Sequence, residues 1–466
     1  MMGFLGIDLG TGGVRCILIR EDGTVLSEIS RALKIINLSK SLCESEQEPL
    51  DWIHALEACL DELFSTPENR CVSAISVDST SGTILPVDRL GRPMSPALLH
   101  NDVRSVKEVA ECIGIFEGEC SPTFSLPKIL WMQKNLPLPD DTLFLHATDF
   151  LNAWLNGSVD IPTDFTNAMK TGVDLDKMDW SDKMPSLNLP KVVSPGVVIG
   201  EVAKIHCRRW GLANSCLLVS GATDSNAAFY ASGAGKAGEW STTIGTTLAI
   251  KGLSKSRIRD NLGRIYCHRH PDGAWLPGGA SNAGGEILKD RFGSRMKDIE
   301  SDAKTSRVVP SILYPSTRKG ERLPFTSSEF MPFKVDSTNE DLKFYLGCLE
   351  GLSFVEKMTY DLLENMGAEV GPVIYVTGGA ASSLLGMQIR ADMLQRSLKV
   401  SQYPNSAMGA AILAAAGFYS KKVGDLSQEL VKHSITIDPN PERNQERVSR
   451  FDQFSILCEK GTQQSK

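Results

Sequence analysis

The sequence predicts an α/β protein, and three observations carry that prediction. Short β-branched runs alternate with amphipathic helical segments along the chain. Several of the runs empty into turns of glycine and hydroxyl residues, and three of these strand ends carry an aspartate: Asp8, Asp78 and Asp224. Ligands in open α/β sheets bind at such strand ends.

The 466 residues are 42% hydrophobic and 23% charged, with a formal charge of −7, as in an ordinary globular protein with a mildly acidic surface. The length suggests roughly three domains of about 150 residues, or two larger α/β domains. The acidic balance argues against nucleic acid and anionic membranes as partners, so any phosphate site is expected to be local, built from backbone and metal. Eleven cysteines without a CxxC pair form no metal or disulfide framework and read as reduced thiols in a cytosol. No basic-then-apolar segment precedes Phe4, and no apolar run reaches membrane-spanning length. The expected location is cytoplasmic, or a plastid if a transit peptide has been removed.

The first strand, residues 4–8, leads through Gly10-Thr11-Gly12-Gly13 into a second strand at 14–19. Glycine-rich nucleotide loops of the Rossmann and P-loop type run from strand into helix, so this order suggests a phosphate-cradling hairpin instead. Gly10, Gly12 and Gly13 are expected to permit positive φ and let backbone N–H groups approach an anion. Thr11 adds a hydroxyl donor, and Asp8 is placed to hold Mg²⁺ through water beside a polyphosphate. A plain hairpin with a generous turn is the alternative.

Further elements follow in order. A turn at 20–23 leads to a strand at 24–29, and residues 51–64 form an amphipathic helix. The strand at 71–77 ends in Asp78-Ser-Thr-Ser81-Gly-Thr83, and the strand at 216–220 runs through Gly221-Ala-Thr-Asp224 into an alanine-rich helix. Gly233-Ala-Gly-Lys236 imitates a P-loop, but Tyr230 and Ala237 stand where Gly and Ser or Thr belong. Strands at 239–244 and 248–253 bracket Gly245-Thr246-Thr247. The strand at 373–377 passes through Gly378-Gly379 to a helix bearing Gln388, Arg390 and Asp392, an arrangement that suits a nucleotide. Residues 405–417 read as a buried alanine-rich helix, and 420–466 are polar with no assigned chemistry. His268 and His270 alternate on a strand; without a third ligand nearby they read as a polar strand face rather than a metal site.

Taken together, Asp8-Leu-Gly-Thr11, Thr223-Asp224-Ser225, Gly245-Thr-Thr247 and Gly378-Gly-Ala380 resemble, in this order, the motifs of the FGGY carbohydrate kinases, members of the sugar kinase, Hsp70 and actin superfamily. The resemblance covers nearly the whole chain. It implies two ribonuclease-H-like domains around a cleft, with sugar held by 1–231 and ATP by 232–466, and a hinge closure that excludes water. By that resemblance Asp8, Gly10, Thr11 and Gly12 form the first phosphate and Mg²⁺ loop, Gly245 and Thr246 the second, and Gly378, Gly379, Ala380 and Ser383 the adenosine loop. Asp224 takes the place of the general base, accepting the proton of a sugar hydroxyl. An N-cap role is the alternative for Asp224. Asn101-Asp102-Val-Arg104 resembles the Asp-x-Arg segment near the sugar in pentulose and gluconate kinases, so Asp102, Arg104 and Ser81 join Asp8 and Asp224 as sugar contacts. Solvated surface charge is the alternative for Asp102 and Arg104. Segments 124–131, 147–151 and 163–168 read as mainly structural landmarks.

Residues 78–83, 278–285 and 320–324 resemble a plant and cyanobacterial xylulose-kinase-like group assigned to D-ribulose, whereas Asn101-Asp102 and the polar tail resemble bacterial xylulose kinases. The expectation is a ketopentose kinase using ATP and Mg²⁺, with D-ribulose ahead of D-xylulose. One departure stands out: the family commonly has Gly-Gly-Gly-Ala-Lys-Asn where this chain has Gly378-Gly-Ala-Ala-Ser-Ser383, so an amide donor and acceptor become a shorter hydroxyl. A catalytically silent sugar binder and a non-sugar ATPase of the same superfamily are the rival classes. Oligomeric state is left open, a homodimer included.

Overall fold

A computed structural model describes residues 2–34, 44–116, 120–306, 308–336, 340–443 and 445–463. The chain divides into two compact units, Met1–Ala231 with Asn405–Val431, and Ser232–Pro404 with Lys432–Lys466.

The first unit is built on a six-stranded sheet, in the order Val198–Glu201, Leu217–Val219, Val72–Ser79, Gly3–Gly10, Gly13–Arg20 and Val25–Ala32. Gly3–Gly10 is antiparallel to Gly13–Arg20 and parallel to Val72–Ser79. Its apolar residues Phe4, Leu5, Ile7 and Leu9 are all buried, as expected of a central strand covered on both faces. One cover is the helix Pro49–Leu63, started by proline in its first turn, which buries Trp52, Leu56, Cys59, Leu60 and Leu63 along one stripe.

The other cover is the alanine-rich helix Ser406–Tyr419, capped by the Asn405 side chain on Met408 N–H at 3.1 Å. It touches the sheet backbone to backbone. A Cβ placed on Gly6 would lie 1.9 Å from Ala407 O and 2.4 Å from Ala411 N, and one on Gly409 would lie 1.8 Å from Ala227 O in the neighbouring helix Asp224–Tyr230. The Phe4 ring packs 5.6 Å from Phe418 and 5.4 Å from Tyr419. This contact explains why residues 405–431 belong to the first unit, whereas the sequence reading assigned the whole of 232–466 to one domain.

The second unit holds a seven-stranded sheet, ordered Tyr266–Arg269, Trp275–Ser281, Leu248–Gly252, Trp240–Ile244, Val373–Thr377, Ser397–Ser401 and His433–Ile437. Each sheet contains an antiparallel three-stranded meander whose first strand continues through two parallel neighbours to an antiparallel edge strand. That shared order is the ribonuclease-H-like pattern, so the α/β expectation holds in both units. The tail left without chemistry is structural: His433–Ile437 closes the sheet, and the helix Gln445–Gln463 buries Phe454, which stacks on Tyr314 at 5.7 Å. No helix among the described residues is long and apolar enough to cross a membrane. The ten described cysteines are free thiols, and Cys43 lies outside the described residues.

Candidate active site

The first unit gathers three carboxylates at one set of strand ends. Asp8 faces Asp78 across the parallel ladder and Arg15 across the antiparallel one. Burial pushes the Asp8 carboxyl up to about 6; its contact with Asp78 opposes the shift, the charge of Asp224 adds to it, and Arg15 opposes it. Asp78 is fully buried, and among the described residues no group other than the Asp8 carboxyl is placed to bond its oxygens. Burial first, then the charges of Asp8 and Asp224, hold it well above the usual carboxylate range. Two facing carboxyls of this kind stay together by sharing a proton, with Asp78 the more basic partner.

Asp224 is half-buried at the first position of the helix Asp224–Tyr230, after the N-cap residue Thr223, and its Oδ1 accepts from Ser225 N–H at 2.6 Å. The N-cap alternative therefore falls to its neighbour. Thr223 N–H is in turn fixed by Thr166 Oγ1 at 2.8 Å, and Thr166 by Asp164. Asn167 and Ser79 meet at Thr148, at 3.2 and 2.7 Å. The segments read as landmarks are thus a buried polar brace joining the strand ends that carry Asp78 and Asp224.

Opposite charge lines the same turn. Lys170 Nζ donates to Ser81 O at 3.3 Å and is held down by burial, with Asp224 opposing that shift. Lys128 Nζ donates to Gly82 O at 2.9 Å and Leu99 O at 2.6 Å, and burial lowers it to about 7. His100, lowered by burial and by these two lysines, lies 3.4 Å from Thr11 Oγ1.

The glycine hairpin is open at its tip but not by positive φ. Gly10, Gly12 and Gly13 all keep negative or extended φ. Gly13 is required because a Cβ would lie 2.5 Å from Arg31 O, while Gly12 has nothing within 4 Å. Thr11 O is anchored by Gln47 Nε2 at 2.7 Å. The cradle is thus a braced hairpin with an empty approach at Gly12, where the smallest residue leaves room for an anion.

Asp102 and Arg104 are not solvated. Asp102 is fully buried; Arg104 Nε reaches its two oxygens at 3.1 and 3.0 Å and Nη2 reaches Oδ2 at 2.8 Å. Arg104 Nη1 bonds Glu46 at 2.5 Å and the guanidinium lies over Trp131. Surface charge was the wrong alternative, because the pair neutralises itself inside the protein.

In the second unit Gly245-Thr246-Thr247 closes a hairpin, Gly245 N–H donating to Thr247 O at 3.0 Å. Gly378 has φ of +86°, and a Cβ there would lie 2.5 Å from Ile244 O, whereas Gly379 has nothing within 4 Å. The sequence reading ran the glycines straight into a helix. A short 3₁₀ turn, Gly379–Ser382, intervenes before Leu384–Leu394, and Ser383 caps that helix on Gly386 N–H at 3.0 Å. Arg390 and Asp392 are structural: Arg390 pairs with Glu356 at 2.6 and 2.8 Å, and Asp392 accepts from Gln388 and Arg447. Gly245, Thr246, Gly379, Ala380 and Ser383 all line a cavity of about 350 Å³, within the range of small-ligand sites. In the P-loop imitation, Glu239 accepts from Gly235 and Lys236 N–H, so its amides are occupied.

The residues present fit a nucleotide and a hydrated cation. Open glycines and free space suit a nucleotide, and the carboxyls Asp8 and Asp78, raised by burial and only partly offset by Arg15, suit a nearby cation. Among the described residues no group of three or more His, Cys, Asp or Glu could enclose a metal ion. Mg²⁺ keeps its waters and uses few carboxylates, and His268 stacks on Tyr266.

Residues 3–230 match the N-terminal domain of the FGGY family of carbohydrate kinases, and 245–418 match its C-terminal domain. The chain is 28% identical over 445 residues to a xylulose kinase of Lactococcus lactis, covering 89% of this chain and 87% of that one. It is 24% identical over 451 residues to a gluconokinase of Bacillus subtilis, covering 88% and 86%. Among solved structures, a xyloylose kinase from Brucella ovis superposes with a TM-score of 0.87 at 20% identity, and Plasmodium falciparum glycerol kinase with ADP at 0.84 and 18%, each covering 98% of both chains. The protein belongs to the FGGY family of carbohydrate kinases and is a phosphotransferase. Sugar kinases of this family use ATP, typically with Mg²⁺.

Sequence reasoning missed Lys170 and His100, whose proximity to Asp224 and Thr11 depends on folding. It placed Asp78 to Ser81 in the lining of the sugar cleft without foreseeing the contact of Asp78 with Asp8.

Proposed function

We propose that the protein transfers the γ-phosphoryl group of ATP, with Mg²⁺, to a hydroxyl of a ketopentose. The observation that supports this reading best is the convergence of Asp8, Asp78 and Asp224 at the strand ends of one unit, facing Lys170 at the Ser81 turn. Asp224 accepts the proton of the attacking sugar hydroxyl as its oxygen bonds to phosphorus and the bond to ADP breaks. Asp8 orients the cation through water, and the amides of Gly10, Thr11 and Gly12, with those of Gly245 and Thr246 in the second unit, receive phosphate oxygens. Bound Mg²⁺ supplies charge neutralisation on the transferring group. Gly378, Gly379, Ala380 and Ser383 hold the nucleoside, while Ser81, Asp102 and Arg104 shape the acceptor side, Asp102 and Arg104 acting through their fixed pair.

Within the ketopentoses, the 78–83 turn favours D-ribulose, while the names of the relatives favour D-xylulose. A cytoplasmic location completes the proposal, in keeping with the free thiols. ADP release with ATP and Mg²⁺ is measured against D-ribulose, D-xylulose, L-ribulose, L-xylulose, glycerol and gluconate. Strong stimulation by one ketopentose supports the reading and names the sugar. Stimulation by glycerol or gluconate alone refutes it, and sugar binding without turnover identifies a silent relative.

A further inference from the structure

The cavity of the second unit contains a carboxylate that the phosphate and sugar roles leave unused. Glu300, on the helix Met296–Thr305, lines it together with Ser383 and Tyr345. Ser383 donates its hydroxyl proton to Glu300 Oε1 at 3.0 Å and accepts from Gly386 N–H at 3.0 Å. A serine hydroxyl has a single donor, so Ser383 has no donor left to offer a ligand. Glu300 is half-buried, and among the described residues no donor reaches its second oxygen, Oε2. Leu288, Met296 and Leu349 give the cavity apolar walls suited to a planar ring.

We infer that Glu300 is the residue that reads the nucleobase, its Oε2 accepting a hydrogen bond from the exocyclic amino group of adenine. The inference rests on the nucleotide reading of this cavity. A lone acceptor rewards a base that presents N–H and repels one that presents a carbonyl at the same place, as hypoxanthine does. Leaving that carboxylate unpaired beside a carbonyl lowers affinity by about tenfold or more. Glu300→Gln changes only that chemistry: the amide oxygen keeps the bond from Ser383 and the amide N–H₂ replaces Oε2.

Calorimetric titration of the full chain with ADP and with IDP, without sugar, tests this. The wild type is expected to prefer ADP about tenfold or more. Glu300→Gln should bind IDP more tightly and ADP more weakly, bringing the two affinities together. Glu300→Ala should weaken ADP and relieve the penalty on IDP without reaching the IDP affinity of Glu300→Gln, which adds a donor, and thermal unfolding establishes that both variants are folded. An unchanged ADP to IDP ratio in Glu300→Gln overturns the assignment of Glu300 while leaving the nucleotide site intact. Failure of the wild type to bind either nucleotide overturns the nucleotide site itself, and the proposed function with it.

Discussion

Asp8 and Asp78 stand opposite one another on neighbouring parallel strands, two carboxyl groups in contact where a sheet would ordinarily place apolar side chains. Because burial lifts Asp8 to about 6 from 3.8, the folded protein binds its proton more tightly than the unfolded chain does. Stability therefore falls as pH rises from about 4 to about 6, and above that the loss is complete. Asp8→Asn should melt a few degrees higher than wild type at pH 7.5 and show no such gain at pH 3.5, by differential scanning calorimetry at both. An equal or lower melting point at pH 7.5 would count against the burial of this charge.

Asp224→Asn keeps the shape of the side chain and removes the proton acceptor. Turnover on the best sugar should fall by about 10²–10⁴-fold, while ADP affinity stays close to that of the wild type. Coupled-assay kinetics and titration calorimetry separate the two, and retention of most of the turnover would remove Asp224 from its assigned role.

Among the described residues, Arg104 is the only side chain in salt-bridge contact with Asp102, which also accepts from Ser45 N–H. Arg104→Met strands a buried carboxylate and should cost about 3–5 kcal/mol of stability in urea titrations. Arg104→Lys keeps the charge but loses the forked geometry and should fall between the two. A neutral Arg104→Met would mean that Asp102 finds water or another partner.

Two glycines make a matched comparison. Gly6→Ala drives a methyl into Ala407 O, 1.9 Å away, and should destabilise by about 1–3 kcal/mol or more. Gly12→Ala meets nothing within 4 Å, so its melting point should not move, while its KM for ATP rises because the methyl occupies the phosphate approach. A lowered melting point for Gly12→Ala would show the hairpin to be closed.

Much of this was legible in the sequence because it depends on local chemistry. The strand–glycine–strand order around Asp8 and Gly245 and the strand-end position of Asp224 follow from periodicity and turn residues. The glycines were recognised for the wrong reason: Gly13 is demanded by Arg31 O across the ladder and not by its own φ. What escaped was long-range. Lys170 meets Ser81, and Glu300 meets Ser383, across many residues, and no local pattern encodes such meetings. The burial of Asp102 was likewise hidden, since a charged tripeptide looks the same whether it is folded inward or solvated.

The close contact of Gly6 with Ala407 and Ala411 also bears on how the protein is made. The strand Gly3–Gly10 leaves the ribosome long before Ser406–Tyr419, the helix that covers one of its faces. Until that helix emerges, the nascent first unit exposes an apolar sheet surface that no neighbouring sequence can cover, a state open to aggregation and to chaperone capture. A fragment ending at Ala231 would carry the three aspartates and still lack a lid for its own core, so it should become soluble only when the helix Ser406–Tyr419 is supplied.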